Sequence, residues 1–196
     1  MLLASNNPHK LTECQRILNS SIVSVIGPEE MGIQLAVDES GKTFRENAQL
    51  KAIAFSYETS LPVIADDSGL EVDALDGKPG VHSSRFEGLQ SDHARNTRLL
   101  EMLAGTPIER RQARFRCVIV AARTGSVQLS VEGACPGLIA AQCHGAFGFG
   151  YDPLFLPEGY TQTFGELGDQ VKDRVGHRSR ALMSLIESPD FIGLLQ

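Results

Sequence analysis

The chain has 196 residues, of which 42% are hydrophobic and 21% charged, and its formal net charge is −6 with neutral histidines. This length suits one domain, or two small lobes that share a core, without disulfide support. Its apolar runs are too short for a membrane helix, and the acidic balance argues against a general nucleic-acid-binding protein.

The cysteines and the first residues indicate a cytoplasmic protein. The 4 cysteines are scattered, with no Cys-x-x-Cys pair, which favours reduced thiols over a zinc ribbon or a disulfide framework. The chain turns polar at Ser5, so we expect no signal peptide.

Strands and helices alternate in the first part of the chain. An apolar run predicts a strand at residues 2–4, and Pro8 stands where a helix would begin. A second strand is predicted at residues 22–26. Capping-box spacing then precedes a helix over residues 44–58, and residues 61–65 read as a buried strand.

The second part of the chain predicts locally paired strands. Residues 91–103 form a clear helical pattern, and residues 114–123 and 126–132 read as a hairpin of long strands. The glycine- and aromatic-rich residues 145–159 are expected to be irregular, and a last helix covers residues 178–186. The order of elements predicts an α/β fold with a mixed sheet.

A polar segment, Ser5-Asn6-Asn7-Pro8-His9-Lys10, lies between the first strand and the first helix. Backbone N–H groups at a helix N-terminus attract anions, and Lys10 adds positive charge, so this segment is a candidate phosphate site. The alternative is that Ser5 or Asn7 simply caps the helix.

The segment Asp66-Asp67-Ser68-Gly69 follows an apolar strand. Carboxylates at the end of a strand can hold Mg²⁺, or one of them can deprotonate an attacking water. The alternative is a turn, because Asp, Ser and Gly favour turns for local reasons.

Three further segments are candidates for function, and each has an ordinary structural explanation when taken alone. The group Asp38-Glu39 with Glu46 and Asn47 could be solvated caps. Residues 147–153 could be a packed aromatic loop, and Lys172 and His177-Arg178 could be surface charge. Oxygen ligands, dispersed cationic donors and an aromatic loop nevertheless predict together a Mg²⁺-dependent site for a small nucleotide-like anion.

In chain order, these segments resemble the inosine triphosphate pyrophosphatase family, also described as dITP/XTP pyrophosphatases. The matching motifs are Ser5-x-Asn7-x-x-Lys10, Thr43-Phe-x-Glu-Asn-Ala48 with Lys51, Ala65-Asp-Asp-Ser-Gly-Leu70, Pro79-Gly-x-x-Ser-Ser-Arg85, Gly148-Phe-Gly-Tyr-Asp-Pro153, and Lys172 with His177-Arg178. They extend over nearly the whole chain.

The resemblance implies an elongated mixed sheet with flanking helices, in two lobes around a central active-site cleft. It implies a single domain over residues 1–196 and a homodimer. It also implies Mg²⁺-dependent hydrolysis of ITP, dITP and XTP to the monophosphate and pyrophosphate.

The resemblance also assigns the site. Asp67 is expected to be the general base and a metal ligand, with Asp38 or Glu39 as the second ligand. The expected substrate contacts are Ser5, Asn6, Asn7, Pro8, His9, Lys10, Lys51, Ser68, Arg85, Phe149, Gly150, Tyr151, Asp152, Lys172, His177 and Arg178.

Selectivity is expected to rest on the 6-oxo group of the purine. A hydrogen-bond donor such as the backbone or Arg178 would pair with the 6-oxo group but would be left unpaired against the amino group of adenine. An unpaired buried donor can lower the preference for an analogue by roughly 10⁴-fold. Guanine carries the same 6-oxo group, so its rejection requires a separate penalty on its 2-amino group.

The chain departs from the family pattern in three places. Asp38 stands where the family usually has Glu, and Gly176 precedes His177 where the family usually has Ser. The loop over residues 165–172 has fewer acids than usual. Because Asp67 and Lys10 are present, we expect activity to survive.

Two other functions are compatible with the motifs. One is a pyrophosphatase for other altered nucleotides, such as pyrimidine or methylated ones. The other is a nucleotide sensor without catalysis, although a sensor has no need for the water-activating Asp67.

Overall fold

The computed structural model describes residues 1–18 and 23–195. The strands are β1 (Leu2–Leu3), β2 (Val63–Val72), β3 (Gln112–Arg123), β4 (Ser126–Ile139) and β5 (Phe155–Pro157). The α-helices are α1 (Pro8–Leu18), α2 (Phe44–Ser56), α3 (Asp92–Met102), α4 (Phe164–Val175), α5 (His177–Ile186) and α6 (Phe191–Leu195). Short 3-10 segments cover Glu29–Met31, Asp73–Leu75, Gly80–Gly88, Ile108–Arg110 and Asp152–Leu154.

The strands form one sheet in the order β1-β2-β3-β4-β5. β1 pairs in parallel with β2, with Leu2 opposite Val63, and β4 pairs antiparallel with β5, with Leu138 opposite Leu156. The α/β class and the mixed sheet expected from the sequence are therefore confirmed.

The predicted second strand, over residues 22–26, lies only partly within the described residues. Ile22, where the predicted second strand begins, lies outside the described residues. Ile26 forms a single parallel bridge with Leu2, and its N–H donates to the carbonyl oxygen of Met1 at 3.1 Å. The prediction of a strand over residues 22–26 thus reduces, within residues 23–26, to one bridge on β1.

Two helices begin where their caps predict. The Thr43 hydroxyl accepts from the Glu46 N–H at 3.1 Å, and the Ser91 hydroxyl accepts from the Ala94 N–H at 3.2 Å. The Glu46 carboxylate accepts from the N–H of Lys42 at 2.6 Å, one residue earlier than in a standard capping box. Both helices stop slightly earlier than predicted.

The structure corrects the predicted β2. It does not end at residue 65 but continues to Val72, so Asp66-Asp67-Ser68-Gly69 lies within the strand. The interpretation of this segment as a turn is therefore wrong. Polar residues were taken as the end of the strand, whereas their charges are paired by partners distant in sequence.

Other corrections concern the second part of the chain. Residues 145–159 were expected to be irregular, but they include β5, and β4 continues to Ile139. Helices α4 and α6 were not predicted. In α4, Gly168 has φ +71° and interrupts the helical backbone. A glycine inside a helix also weakens the helical pattern of the sequence, so α4 was hard to recognise.

The contacts divide the chain into two compact units. The first comprises Met1–Asp67, Cys117–Gly133 and Arg178–Gln196, and the second comprises Ser68–Arg116 and Ala134–His177. Each has its own core. The core of the first contains Leu3, Cys14, Leu18, Val23, Val25, Ile64, Cys117, Ile119, Ala121, Ala181, Leu182, Leu185, Phe191 and Leu194.

The core of the second unit is rich in aromatic rings. The ring of Phe115 lies 4.6 Å from that of Phe155 and 4.7 Å from the imidazole of His177, between ring centroids. Phe155 in turn lies 5.5 Å from Phe164 at the start of α4. These rings tie β3, β5 and α4 together within this unit.

Among residues 1–18 and 23–195, no helix is both long enough and apolar enough to cross a membrane.

We expect Gly137→Ala to destabilise the protein. A Cβ on Gly137 would lie 2.2 Å from the carbonyl oxygen of Leu156 in the paired strand β5, and backbone cannot move aside as a flexible side chain does. The free energy of unfolding should fall by about 1–3 kcal/mol, measured by urea denaturation.

Gly193→Ala in α6 is the matched control, since a Cβ there meets nothing within 4 Å. It should be neutral, or stabilising by up to about 1 kcal/mol. Equal denaturation midpoints for the two variants would contradict the close approach of β4 and β5.

Candidate functional site

Asp66 and Asp67 occupy consecutive positions inside β2. Consecutive side chains of a strand point to opposite faces, so the two carboxylates meet different surroundings. Asp66 is 0% exposed and Asp67 is 6% exposed. What looks like an acidic pair in the sequence is two separate sites in the structure.

Asp66 is surrounded by cations of the first unit. Its Oδ2 lies 3.0 Å from Lys10 Nζ and 2.9 Å from Arg178 Nη2. Burial alone would raise the pKa of this carboxyl, but Lys10, Arg178 and Lys51 together hold the pKa well below its usual range. Asp66 is therefore ionised and serves as an anchor for cations rather than as a proton acceptor.

Arg178 is buried at the start of α5, with 1% of its surface exposed. Besides Asp66, its guanidinium donates through Nη1 to Oε2 of Glu13 on α1 at 2.8 Å. Burial by itself would lower the pKa of Arg178, but Glu13 and Asp66 hold it well above the ordinary value. This residue links α1, β2 and α5 through charges.

Asp67 faces α2. Its Oδ2 accepts from Asn47 Nδ2 at 3.1 Å, and its Oδ1 lies 3.5 Å from Lys51 Nζ. Burial raises the pKa of the Asp67 carboxyl above its usual value, against the opposing effect of Lys51 and with a further increase from Glu39. A carboxyl with a raised pKa is a better proton acceptor than an ordinary one.

Asp38 and Glu39, neighbours in sequence, differ in exposure and in contacts. Glu39 Oε1 lies 2.5 Å from Lys51 Nζ, while Asp38 is exposed. Nearby, the Gly41 N–H donates to Asn47 Oδ1 at 2.8 Å, and a Cβ on Gly41 would lie 2.6 Å from that oxygen. Asn47 thus joins the loop that carries Glu39 to the carboxylate of Asp67.

Glu39 and Asp67 approach the same ammonium group, that of Lys51. Mg²⁺ in nucleotide sites is typically held by one or two carboxylates together with waters and phosphate oxygens. This pair of oxygen donors fits such an ion. Among the described residues, no group of three or more His, Cys, Asp or Glu side chains is placed to hold a metal.

The segment from Ser5 to Lys10 leads into α1, which begins at Pro8. Asn7 Oδ1 accepts from the His9 N–H at 2.9 Å, and the Ser5 hydroxyl accepts from the Asn7 N–H at 3.2 Å. Asn6 Nδ2 donates to the carbonyl oxygen of Leu35 at 3.2 Å. Side chains therefore cap this helix, as the simpler interpretation predicts, and phosphate binding by the segment stays a prediction.

A second group of candidates lies in the second unit. Lys172 Nζ lies 2.6 Å from Asp152 Oδ2 and 4.3 Å from the centroid of the Phe149 ring. Asp152 Oδ2 also accepts from the Phe149 N–H at 2.8 Å. Lys172 and Asp152 are both buried, so one buried ion pair supports the loop and the aromatic ring.

The remaining candidates of this unit are more scattered. The hydroxyl of Tyr151 donates to the carbonyl oxygen of Ser83 at 3.0 Å, and His177 packs on Phe115. Arg85 is exposed and Ser68 is half-buried. The structure thus places His177 in the second unit and Arg178, its neighbour in sequence, in the first.

Several residues of these groups were not selected from the sequence. Glu13, Asp92 and Asn96 lie on helices, where acids and amides are usually exposed, and no local signal marks Glu13 and Asn96 as buried. Asn47 was noted only as a polar neighbour of Asp38-Glu39. Its position within the matching motif Thr43-Phe-x-Glu-Asn-Ala48 could have identified it.

Comparison with known proteins confirms the resemblance drawn from the motifs. The model of the Ham1 family matches residues 1–188. The dITP/XTP pyrophosphatase of Desulforamulus reducens is 44% identical over 188 residues, covering 95% of this chain and 94% of the relative. That of Bacillus subtilis is 40% identical, covering 94% and 93%.

A solved structure is similar over the same length. The HAM1 protein from Coxiella burnetii is 38% identical and has a TM-score of 0.83, covering 94% of each chain.

We expect Glu13→Ala to destabilise the first unit strongly. The change removes one of the carboxylates that compensate the buried guanidinium of Arg178. Breaking a buried ion pair from one side costs about 3–5 kcal/mol of the free energy of unfolding, measurable by chemical denaturation. Glu58→Ala, at an exposed acid, should change it by no more than about 0.5 kcal/mol. Similar values for both variants would refute the importance of this ion pair.

Proposed function

The chain belongs to the Ham1 family, and from this premise we propose that it is a hydrolase that converts non-canonical purine nucleoside triphosphates to the monophosphate and pyrophosphate. ITP, dITP and XTP are the substrates. The observation that carries the proposal is the buried Asp67, whose raised pKa and contacts with Lys51 and Asn47 suit a proton acceptor beside an anion. The similarity to dITP/XTP pyrophosphatases supports it.

The triphosphate binds at the start of α1. The backbone N–H groups of a helix N-terminus attract anions, and Pro8 begins this helix. Lys10 and Lys51 add positive charge in the first unit. The acidic net charge of the chain is compatible with this site, because a few local cations are sufficient for a small ligand.

Asp67 acts as the general base. A water molecule adds across the anhydride bond between the α and β phosphates, and that bond breaks to release pyrophosphate. The proton of the water moves to the carboxylate of Asp67, which Asn47 and Lys51 hold in place. Asp66 takes no proton, because its cations keep it ionised.

Glu39 and Asp67 would hold Mg²⁺, with Glu39 rather than Asp38 as the second ligand. When bound, the ion neutralises charge on the triphosphate and orients it. Glu39 shares the ammonium of Lys51 with Asp67, whereas Asp38 is exposed.

The base and sugar bind in the second unit. Phe149, Gly150, Tyr151 and Asp152, with Lys172, His177, Ser68 and Arg85, are the proposed contacts there, and Phe149 offers a ring for stacking. The donor to the purine 6-oxo group is the backbone or Arg178. The 1% exposure of Arg178 favours the backbone.

The remaining features follow the family resemblance. Residues 1–196 act as one catalytic domain, the protein is a cytoplasmic homodimer, and it takes part in clearing altered nucleotides from the nucleotide pool. It does not bind nucleic acid.

Pyrophosphate release from dITP, XTP, dATP, dGTP, dCTP and dTTP, with and without Mg²⁺, tests the proposed function. Turnover of dITP and XTP far above the others, lost on adding a chelator, is the expected result. Comparable turnover of pyrimidine substrates would replace the purine specificity with a broader one. Tight dITP binding without turnover would favour the sensor.

We expect Asp67→Asn to lower kcat by at least about 100-fold, the usual contribution of a general base. The fold should persist, since asparagine keeps the size of the side chain, and thermal unfolding verifies this. Asp76→Asn, at an exposed acid, is the control and should retain activity. A fully active Asp67→Asn enzyme would exclude the assigned role.

Adjacent substitutions at Asp38 and Glu39 test the metal assignment. Glu39→Gln should weaken Mg²⁺ binding, seen by calorimetry and by the Mg²⁺ needed for half-maximal rate, by at least about tenfold. Asp38→Asn should leave both unchanged, because its side chain is exposed. The reverse pattern would make Asp38 the ligand.

A further inference from the structure

Phe149 lies between two glycines with left-handed backbone. Gly148 has φ +75° and Gly150 has φ +64°. Glycine adopts this region without strain but also leaves it easily, because it has no Cβ. The position of the aromatic ring therefore depends on what holds these two glycines.

Asp152 holds the first of them. A Cβ on Gly148 would lie 2.0 Å from Asp152 Oδ2, so the carboxylate packs directly against the glycine. The same oxygen accepts from the N–H of Phe149 at 2.8 Å. Lys172, on α4, fixes this carboxylate in turn.

Helix α3 holds the second glycine at both of its main-chain polar groups. Asp92 Oδ2 accepts from the Gly150 N–H at 2.7 Å, and Asn96 Nδ2 donates to the Gly150 carbonyl oxygen at 3.0 Å. Residues four apart on a helix are neighbours on one face. Together the two side chains oppose rotation of the peptide groups on either side of Gly150.

The clamp formed by Asp92 and Asn96 is itself firmly supported. Ser91 caps the helix, and Arg95 donates both to Asp92 and to the carbonyl oxygen of Leu89. Leu99, one turn further along α3, is fully buried in the core of this unit. A rigid element therefore carries the clamp.

The side-chain amide of Asn96 donates to Gly150 but leaves its own oxygen buried and unpaired among the described residues. Asn96 is 3% exposed, and among residues 1–18 and 23–195 its Oδ1 has no hydrogen-bond partner. A buried acceptor left unsatisfied is unfavourable for folding, and natural proteins tolerate such costs mainly at functional sites. The amide of Asn96 is therefore oriented to hold Gly150, although this orientation lowers the stability of the protein.

We infer that Asp92 and Asn96 are positioning residues for purine recognition, which they support by holding Gly150 and, through it, the ring of Phe149. The inference rests on the proposed function, in which Phe149 and its neighbours receive the base. It assigns no contact with the triphosphate to either residue.

Asn96→Ala is the first test. Loss of the bond leaves the Gly150 carbonyl unpaired and the loop mobile, so KM for dITP should rise about tenfold while kcat changes little. Inhibition by inorganic tripolyphosphate, which has no base, should be unaffected. Arg98→Ala, two residues further along α3 and paired with surface acids, is the matched control and should behave as the unaltered protein.

A double-mutant cycle separates positioning from general destabilisation. In a Phe149→Ala background, Asn96→Ala should have no further effect on KM, because the ring that it positions is gone. Asp92→Ala should resemble Asn96→Ala, and Asp92→Asn, which keeps an acceptor oxygen, should restore KM. Unchanged KM in Asn96→Ala, additive effects in the cycle, or equally weakened tripolyphosphate binding would each overturn the inference.

Equilibrium dialysis with dITP makes the result independent of turnover. Binding without hydrolysis by the unaltered protein would refute the proposed function while the effect of Asn96→Ala on binding still decides the inference. No binding of dITP by the unaltered protein would refute both.

Discussion

Adjacent residues of a β-strand point to opposite faces, and this alternation gives two neighbouring carboxylates of β2 different chemistry. Asp66 meets Lys10 and Arg178, which keep its pKa low. Asp67 meets Asn47 and Lys51 on α2, and burial raises its pKa. Pairs of acids whose surroundings separate their pKa values are typical of catalytic sites. A register shift of β2 by one residue would exchange their environments.

The charges around Asp66 oppose such a shift. A buried carboxylate without partners is very unfavourable, so Asp66 holds β2 against Lys10 on α1 and Arg178 on α5. Glu13 completes the compensation of the guanidinium. In the second unit, the carboxylate of Asp152 holds a flexible glycine loop. In both units, buried acids that do not react keep the candidate site residues in place.

Local signals predicted much of the fold. Helices α2 and α3 were recognised because their caps and spacing lie within a few residues, and the pair β3 and β4 because a tight turn separates two β-branched runs. Helix α4 was missed, since Gly168 interrupts it. The end of β2 was misplaced, since polar residues in a strand are paired only by residues far away in sequence.

The sequence by itself determined the family and the candidate residues, because six ordered motifs preserve the types and spacing of the side chains that the chemistry needs. Residue type and spacing did not separate Asp66 from Asp67, although the family resemblance assigned Asp67, and neither source separated Asp38 from Glu39, because neighbouring acids look alike until their faces are known. Only the tertiary structure decided which of these acids are buried and which partners they contact, and it alone revealed Glu13 and Asn96. Burial and charge pairing depend on contacts between distant segments, which no local pattern encodes.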